Sequence, residues 1–225
     1  MSILSNQILY MDFSGQYEGC AGAYEDCRNI SGTNCYCDDI AKEALRQRIL
    51  AHPVDAIHFF DSGNYHYISL LWLERIQQDF ALVLFDNHPD MKPPSFGNIT
   101  SCGGWVQEAL ETLPHLKRVY MVGVDETLLS ELEPLPDTVI RGLPADEDLP
   151  IYISLDKDVL CETDARCDWS QGAMTIAQLS DALRGLLDTQ PILGVDICGE
   201  KKDNLTDTDL IINRRTNERL LALLG

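Results

Sequence analysis

A chain of 225 residues with 45% apolar and 24% charged residues is long enough for one extensive core and has the composition of a folded domain. Its 36 acidic against 17 basic side chains leave a formal net charge of -19, which argues against nucleic acid and anionic membrane surfaces as partners, since both need concentrated Lys and Arg. No apolar run approaches a membrane span, and the first residues lack the basic and apolar regions of a targeting segment, so a cytoplasmic protein is expected.

In that compartment the eight cysteines are expected as thiols. Cys20, Cys27, Cys35 and Cys37 cluster early without the paired C-x-x-C spacing of zinc ribbons, and buried thiols filling small packing gaps are the favoured reading. Cys102, Cys161 and Cys198 each fall near the predicted end of a strand.

Ile8 to Phe13 reads as the first strand, followed by an irregular Gly-, Cys- and Asn-rich loop to Cys37. Asp38 or Asp39 is placed to cap a helix reaching about Ala51, with Ala41, Ala44, Leu45 and Ile49 on its inner side. Ala56 to Phe60 is a strand running into a polar turn that ends at His66, and an apolar helix follows from Tyr67 to Gln78. Residues 81 to 85 are five apolar positions in a row, suited to a strand buried on both faces.

After a second irregular loop, Met91 to Gly104, a helix is expected from Trp105 to Leu113 and a strand from Val119 to Val124. A short helix near Leu128 to Leu132 and a weaker, edge-type strand from Asp137 to Arg141 come next. Ile151 to Leu155 is a further buried strand, Thr175 opens a helix to Leu187, and Ile192 to Ile197 is the last strand. A C-terminal helix from Asp207 to Leu223 draws its apolar side from Ile211, Ile212, Leu220, Leu221 and Leu224. Alternation at this spacing predicts one domain over residues 1–225, a three-layer α/β/α fold with a mostly parallel sheet.

The chemistry concentrates where these strands end. Open parallel sheets bind ligands at that edge. In extended backbone, Asp86, His88 and Asp90 would share one face, with Asn87 and Pro89 turned away. Asp156 and Asp158 repeat the spacing, and His66 follows another strand. Crowded carboxylates and imidazoles repel and lose hydration unless a cation lies among them. Four carboxylates and two imidazoles exceed the ligand set of one tetrahedral zinc and suit two divalent ions, with manganese favoured and Fe2+, Co2+ and Zn2+ as alternatives.

In order along the chain, Gly63-Asn-Tyr-His66, Asp86-Asn-His88-Pro-Asp90 and Ser154-Leu-Asp156-Lys-Asp158 resemble the G-G-D-H, D-A-H-x-D and S-x-D-x-D motifs of the ureohydrolase family, which includes arginase, agmatinase and formimidoylglutamase. The resemblance implies an arginase-like fold and two Mn2+ ions. One would be held by His66, Asp86, Asp90 and Asp156, and the other by Asp86, His88, Asp156 and Asp158. It implies hydrolysis of a C-N bond in a small amidine, guanidino or amide compound by a metal-bridging hydroxide, with Asp90 and Asp158 as catalytic residues and Asp90 orienting the nucleophile.

Departures from the family pattern bear on substrate. The loop Phe96-Gly-Asn-Ile-Thr-Ser-Cys-Gly-Gly104 lacks the histidine that arginases carry there, with Thr100, Ser101 or Cys102 in its neighbourhood. The last strand of the family ends D-I-x-E, but this chain reads Asp196-Ile-Cys-Gly199-Glu200, displacing the acid by one position and turning it to the other face unless the backbone bulges. Glu200, Asn98, Cys102 and Trp169 are the residues expected to contact substrate. A small molecule is the expected partner, a cationic one being favoured by the acidic charge, and the oligomeric state is left open, a homo-oligomer included.

Two other readings stand beside this one: a non-catalytic protein binding metal or a small cation, and a mononuclear zinc deacylase-like amidohydrolase. The second needs a paired-histidine base, whereas the five histidines, at 52, 58, 66, 88 and 115, include no adjacent pair. His52, His58 and His115 read as structural.

Overall fold

A computed structural model describes residues 7–93, 97, 99–132 and 134–225. Among them are the strands β1 (Ile8–Asp12), β2 (Ala23–Asp26), β3 (Tyr36–Cys37), β4 (Ile57–Phe59), β5 (Phe80–Phe85), β6 (Thr100–Ser101), β7 (Leu116–Val122), β8 (Val139–Arg141), β9 (Ile151–Asp156) and β10 (Ile192–Cys198). The helices are α1 (Asp39–Ile49), α2 (Ile68–Leu73), α3 (Trp105–Thr112), α4 (Glu126–Ser130), α5 (Ile176–Thr189) and α6 (Asp207–Leu224).

Eight strands form one sheet in the order β2-β1-β4-β10-β9-β5-β7-β8. Every neighbouring pair in it is parallel. Helices cover both faces, which is why β5 and β9 are buried at every residue and β5 reads as an unbroken apolar run rather than an alternating one. On one face Leu45 of α1, Trp72 of α2 and Trp105 of α3 pack over the sheet; on the other Leu183 of α5 and Leu220 of α6 do so. The fold is thus the expected three-layer α/β/α with a parallel sheet, and β8 is the edge strand anticipated near Asp137 to Arg141.

Side-chain caps start α1, α4, α5 and α6. Asp38 accepts from the Ala41 amide at 2.8 Å, and Thr175 with Gln178 closes a reciprocal capping box at the head of α5. Thr206 caps α6, paired with Asp209. None of the helices is long and apolar enough to cross a membrane among the described residues.

Two expectations change. The loop before Cys37 contains β2, which adds to the sheet edge, and β3, which pairs antiparallel with β6 in the second loop. The inner face of α6 is also different: Ile211 is 67% exposed, while Asp209, Asn213, Thr216, Leu220 and Leu224 are buried. Polar groups can face inward here because the loop before them supplies partners. Asn213 accepts from the Arg166 amide and donates to the Arg166 carbonyl, both at 2.8 Å, and Thr216 donates to the Asp164 carbonyl.

A candidate metal centre at the carboxyl edge of the sheet

β4, β10, β9 and β5 are consecutive in the sheet, so the segments leaving their carboxyl ends meet at one place. His66 closes a short 3-10 turn after β4 whose first residue, Gly63, lies so near the cluster that a Cβ there would sit 2.6 Å from Asp156 Oδ2. His66 Nδ1 is 3.1 Å from Asp86 Oδ2, 3.0 Å from Asp90 Oδ2 and 3.8 Å from Asp156 Oδ2. His88 Nδ1 lies 2.8 Å from Asp158 Oδ2 and 3.5 Å from Asp86 Oδ1. Two groups of potential ligand atoms share Asp86: His66 with Asp86 and Asp90, and Asp86 with His88 and Asp158.

The six residues converge, but not through the extended geometry expected for residues 86 to 90. β5 ends at Phe85, and the next segment turns: the His88 amide donates to Asp86 Oδ1 at 2.6 Å, and Asp90 takes a φ of +48°. The Asp158 amide likewise donates to Asp156 Oδ1 at 2.9 Å in a 3-10 turn. Asn87 is not turned idly away. Its amide donates to Asp158 Oδ1 at 2.9 Å and its side chain to the Ser170 carbonyl at 3.0 Å.

Hydrogen bonds around the cluster orient its members. Ser154 Oγ donates to Asp196 Oδ1 at 2.6 Å, leaving its lone pairs for His66 Nε2 at 2.9 Å. Nε2 therefore carries a proton, and in the neutral ring Nδ1 presents a lone pair to the carboxylates. Trp105 Nε1 donates to Asp90 Oδ2 at 2.8 Å, and Ser170 Oγ meets His88 Nε2 at 2.9 Å. Ser170 and Trp105 were given no site role from sequence, and Asp196, which opens the last-strand pattern, was given none either; a buried acid inside the apolar strand β10 was the available signal there.

Electrostatics record the crowding. Burial pushes Asp156 up to about 6 and Asp158 up to about 7, with neighbouring carboxylates adding to it. Burial alone would lower His66, but Cys198, Asp86 and Asp90 outweigh it and the net direction is upward. His66 Nδ1 and Asp86 Oδ2 are buried and make no hydrogen bond, although they lie 3.1 Å apart. Orphaned atoms at that separation fit a divalent cation, and the donor set of imidazoles and carboxylates is one that such ions take.

The cluster forms the floor of a cleft of about 260 Å³, walled by Cys35, Tyr36, Lys92, Cys102 and Trp169. Trp169 is held by Asn64, which accepts from its Nε1 at 2.8 Å, and the ring meets His88 edge-on at 5.9 Å. Cys102 and Trp169 thus lie where substrate contact was expected, and Asn98 falls outside the described residues.

Glu200 does not line the cleft. Its carboxylate is 2.6 Å from Lys157 Nζ on the α6 side of the sheet, because the one-residue displacement in sequence puts Gly199, not an acid, next to the cluster. The other histidines are structural, as expected: His58 stacks on Trp72 at 3.7 Å, His52 meets Glu25 at 3.0 Å and His115 meets Asp79 at 2.9 Å.

Comparison with known proteins agrees with this architecture. No family model matches the chain. An uncharacterized protein of Thermotoga maritima is 29% identical over 195 residues, which covers 80% of this chain and 76% of that one. Formimidoylglutamase from Bacillus subtilis superposes with a TM-score of 0.68 at 14% identity, over 97% of this chain and 86% of that one. A triple mutant of the T. brucei arginase-like protein, bound with Mn2+, gives 0.59 at 17% identity, over 99% and 92%.

The fold is that of the arginases. Its structural neighbours at low identity extend across the ureohydrolase superfamily, from arginase to formimidoylglutamase and agmatine ureohydrolase.

Proposed function

We propose that the protein is a divergent ureohydrolase-like enzyme that hydrolyses a C-N bond of a small amidine, guanidino or amide compound, using two divalent cations held by His66, Asp86, His88, Asp90, Asp156 and Asp158. The observation that carries this reading is the buried pair of orphaned atoms, His66 Nδ1 and Asp86 Oδ2, within the two ligand groups that share Asp86. When bound, the ions supply Lewis acidity, generating a nucleophile from water near neutral pH and offsetting negative charge at the attacked carbon.

The chain's own groups complete the chemistry. In this reading Asp90, held by the Trp105 indole, accepts a proton at its carboxylate and passes it to the departing nitrogen. Asp158, held by the Asn87 amide and by His88, keeps the second ligand group in place. Trp169 and Tyr36 supply apolar walls that orient the substrate and displace water.

The cleft narrows the substrate class. Every acid among its described lining residues belongs to the cluster, and its one cation there is Lys92. With Glu200 bound to Lys157, no carboxylate outside the cluster is left among the described lining residues to receive a guanidinium. An uncharged amide-type group therefore suits this cleft better than the cationic substrate the overall charge favours.

Metal content is the test: protein purified without chelator and reconstituted with Mn2+, beside Asp156→Ala. About two ions per chain are expected, falling sharply in the variant, and ammonia or urea release from a panel of guanidino, formimino and amide compounds should follow. No bound metal overturns the proposal; two ions without turnover of any such compound replaces it with a non-catalytic metal protein.

A further inference from the structure

One group at the cluster belongs to none of its three motifs. Cys198 ends β10, and the register of that strand with β9 sets it opposite Asp156. The side chain is completely buried. Its Sγ donates to Asp156 Oδ2 at 3.2 Å. The sulfur, an Asp156 oxygen and a ring nitrogen of His66 all lie within 4.8 Å of one another, a third group of potential ligand atoms sharing His66 with the first.

A buried cysteine alone is usually inert packing. Here a second observation points to a ligand: His66 Nδ1, equally buried, has no hydrogen-bond partner and faces the same corner. In a tetrahedral site with bonds of about 2.0 to 2.3 Å, ligand atoms lie about 3.5 Å apart. The Sγ to Oδ2 separation of 3.2 Å and the Nδ1 to Oδ2 separation of 3.8 Å bracket that value.

We propose that Cys198 is a metal ligand, binding one of the two cations through sulfur together with His66 and Asp156, and that this thiolate selects zinc, iron(II) or cobalt(II) over manganese at that position. The inference rests on the metal-centre reading above and deepens it. Coordination replaces the Sγ–H bond with a sulfur–metal bond and releases the proton to solvent, with no change of oxidation state. The selectivity follows from softness: carboxylate oxygens suit manganese, whereas a thiolate favours the softer ions. The next residue in the chain leaves room for this arrangement. Gly199 carries no Cβ where one would meet Asp156 Oδ1 at 2.3 Å.

Cobalt reads the bond directly. Reduced, metal-free protein is loaded with Co2+, counted by elemental analysis and examined in the near ultraviolet, beside Cys198→Ser. A sulfur-to-cobalt charge-transfer band is expected in the parent chain and absent from the variant. In zinc against manganese competition, the preference for zinc should fall by about tenfold or more in Cys198→Ser. X-ray absorption at the zinc edge of the parent protein keeps the test independent of the variant's folding, one sulfur at about 2.3 Å being expected.

Bound cobalt without the band, a band that survives in Cys198→Ser, or an oxygen- and nitrogen-only shell overturns the assignment of Cys198 and leaves the hydrolase reading intact. Failure to bind any metal overturns both.

Discussion

The ammonium of Lys157 and the carboxylate of Glu200 lie 2.6 Å apart, with the side chains 0% and 3% exposed. Asn217 donates to the same carboxylate oxygen at 2.7 Å, and the Tyr17 hydroxyl reaches it at 3.3 Å. Removing one member of such a buried pair leaves the other charged and poorly solvated. Lys157→Met is therefore expected to lower the unfolding free energy by about 3 to 5 kcal/mol, and adding Glu200→Gln to recover much of it, as read by urea denaturation. Glu200→Gln alone should leave metal stoichiometry unchanged, since its carboxylate is bound on the α6 side of the sheet.

Asp61 gives a pH effect independent of the metal centre. Burial, against hydrogen bonds from Ser14 and the Phe13 amide, pushes its carboxyl up to about 6, and Oδ1 has no partner. Its folded value lies above the unfolded one of about 3.9, so its contribution is fully present below about pH 4 and is lost as pH rises through about 6. Asp61→Asn should flatten this part of the stability profile and raise stability at neutral pH by about 1 to 3 kcal/mol. The substitution also respects the backbone, because φ at this position is +69° and asparagine tolerates the left-handed region. Chemical denaturation at about pH 4, 6 and 8 checks it; a parallel profile for both proteins would refute it.

Metal removal has a pH signature of its own. Burial lifts Asp156 to about 6 and Asp158 to about 7. Burial opposes a charged His88, but Asp158 and Asp86 carry it up to about 11. All three folded values exceed the unfolded ones, so the metal-free protein loses stability as pH rises from about 4 through 7 and beyond. Cations require the deprotonated ligands, so their stabilising effect grows over the same range. Thermal unfolding in EDTA and in Mn2+ should therefore diverge with rising pH and converge by about pH 5.

Gly199 occupies the place where the family pattern has glutamate. Restoring that residue is expected to fail as a gain of function. Gly199 has a φ of +91°, and a Cβ would lie 2.3 Å from Asp156 Oδ1 and 2.7 Å from the Lys157 amide nitrogen. Gly199→Glu should lose metal and about 1 to 3 kcal/mol of stability. Retained metal with new guanidine hydrolysis would show that the strand end rearranges freely.

The parts of this architecture that were legible in sequence are those written in long or repeated signals. β5 announces itself because burial on both faces demands an unbroken apolar run, which Asp86 breaks abruptly; β9 is as buried and mostly apolar, and ends in Asp156 itself. β3 and β6 are two residues each, too short for any period to register. The inner face of α6 was misread because hydrophobicity is a poor guide where Asn213 and Thr216 are buried against loop carbonyls. Glu200 and Cys198 turn on a one-residue phase at a strand end, where alternation decides the face but sequence alone does not fix the last paired residue.

The strand order also governs how the molecule is made. β10 lies between β4 and β9, so residues up to 191 supply two half-sheets, β2-β1-β4 and β9-β5-β7-β8, with no strand to join them. Their facing edges, Ile57–Phe59 and Ile151–Asp156, are buried in the finished fold and unpaired until residues 192 to 198 leave the ribosome. Such edges invite pairing with other chains. A polypeptide stalled before that point holds the acidic segments after β5 and β9 side by side, but lacks the strand that joins His66, after β4, to them.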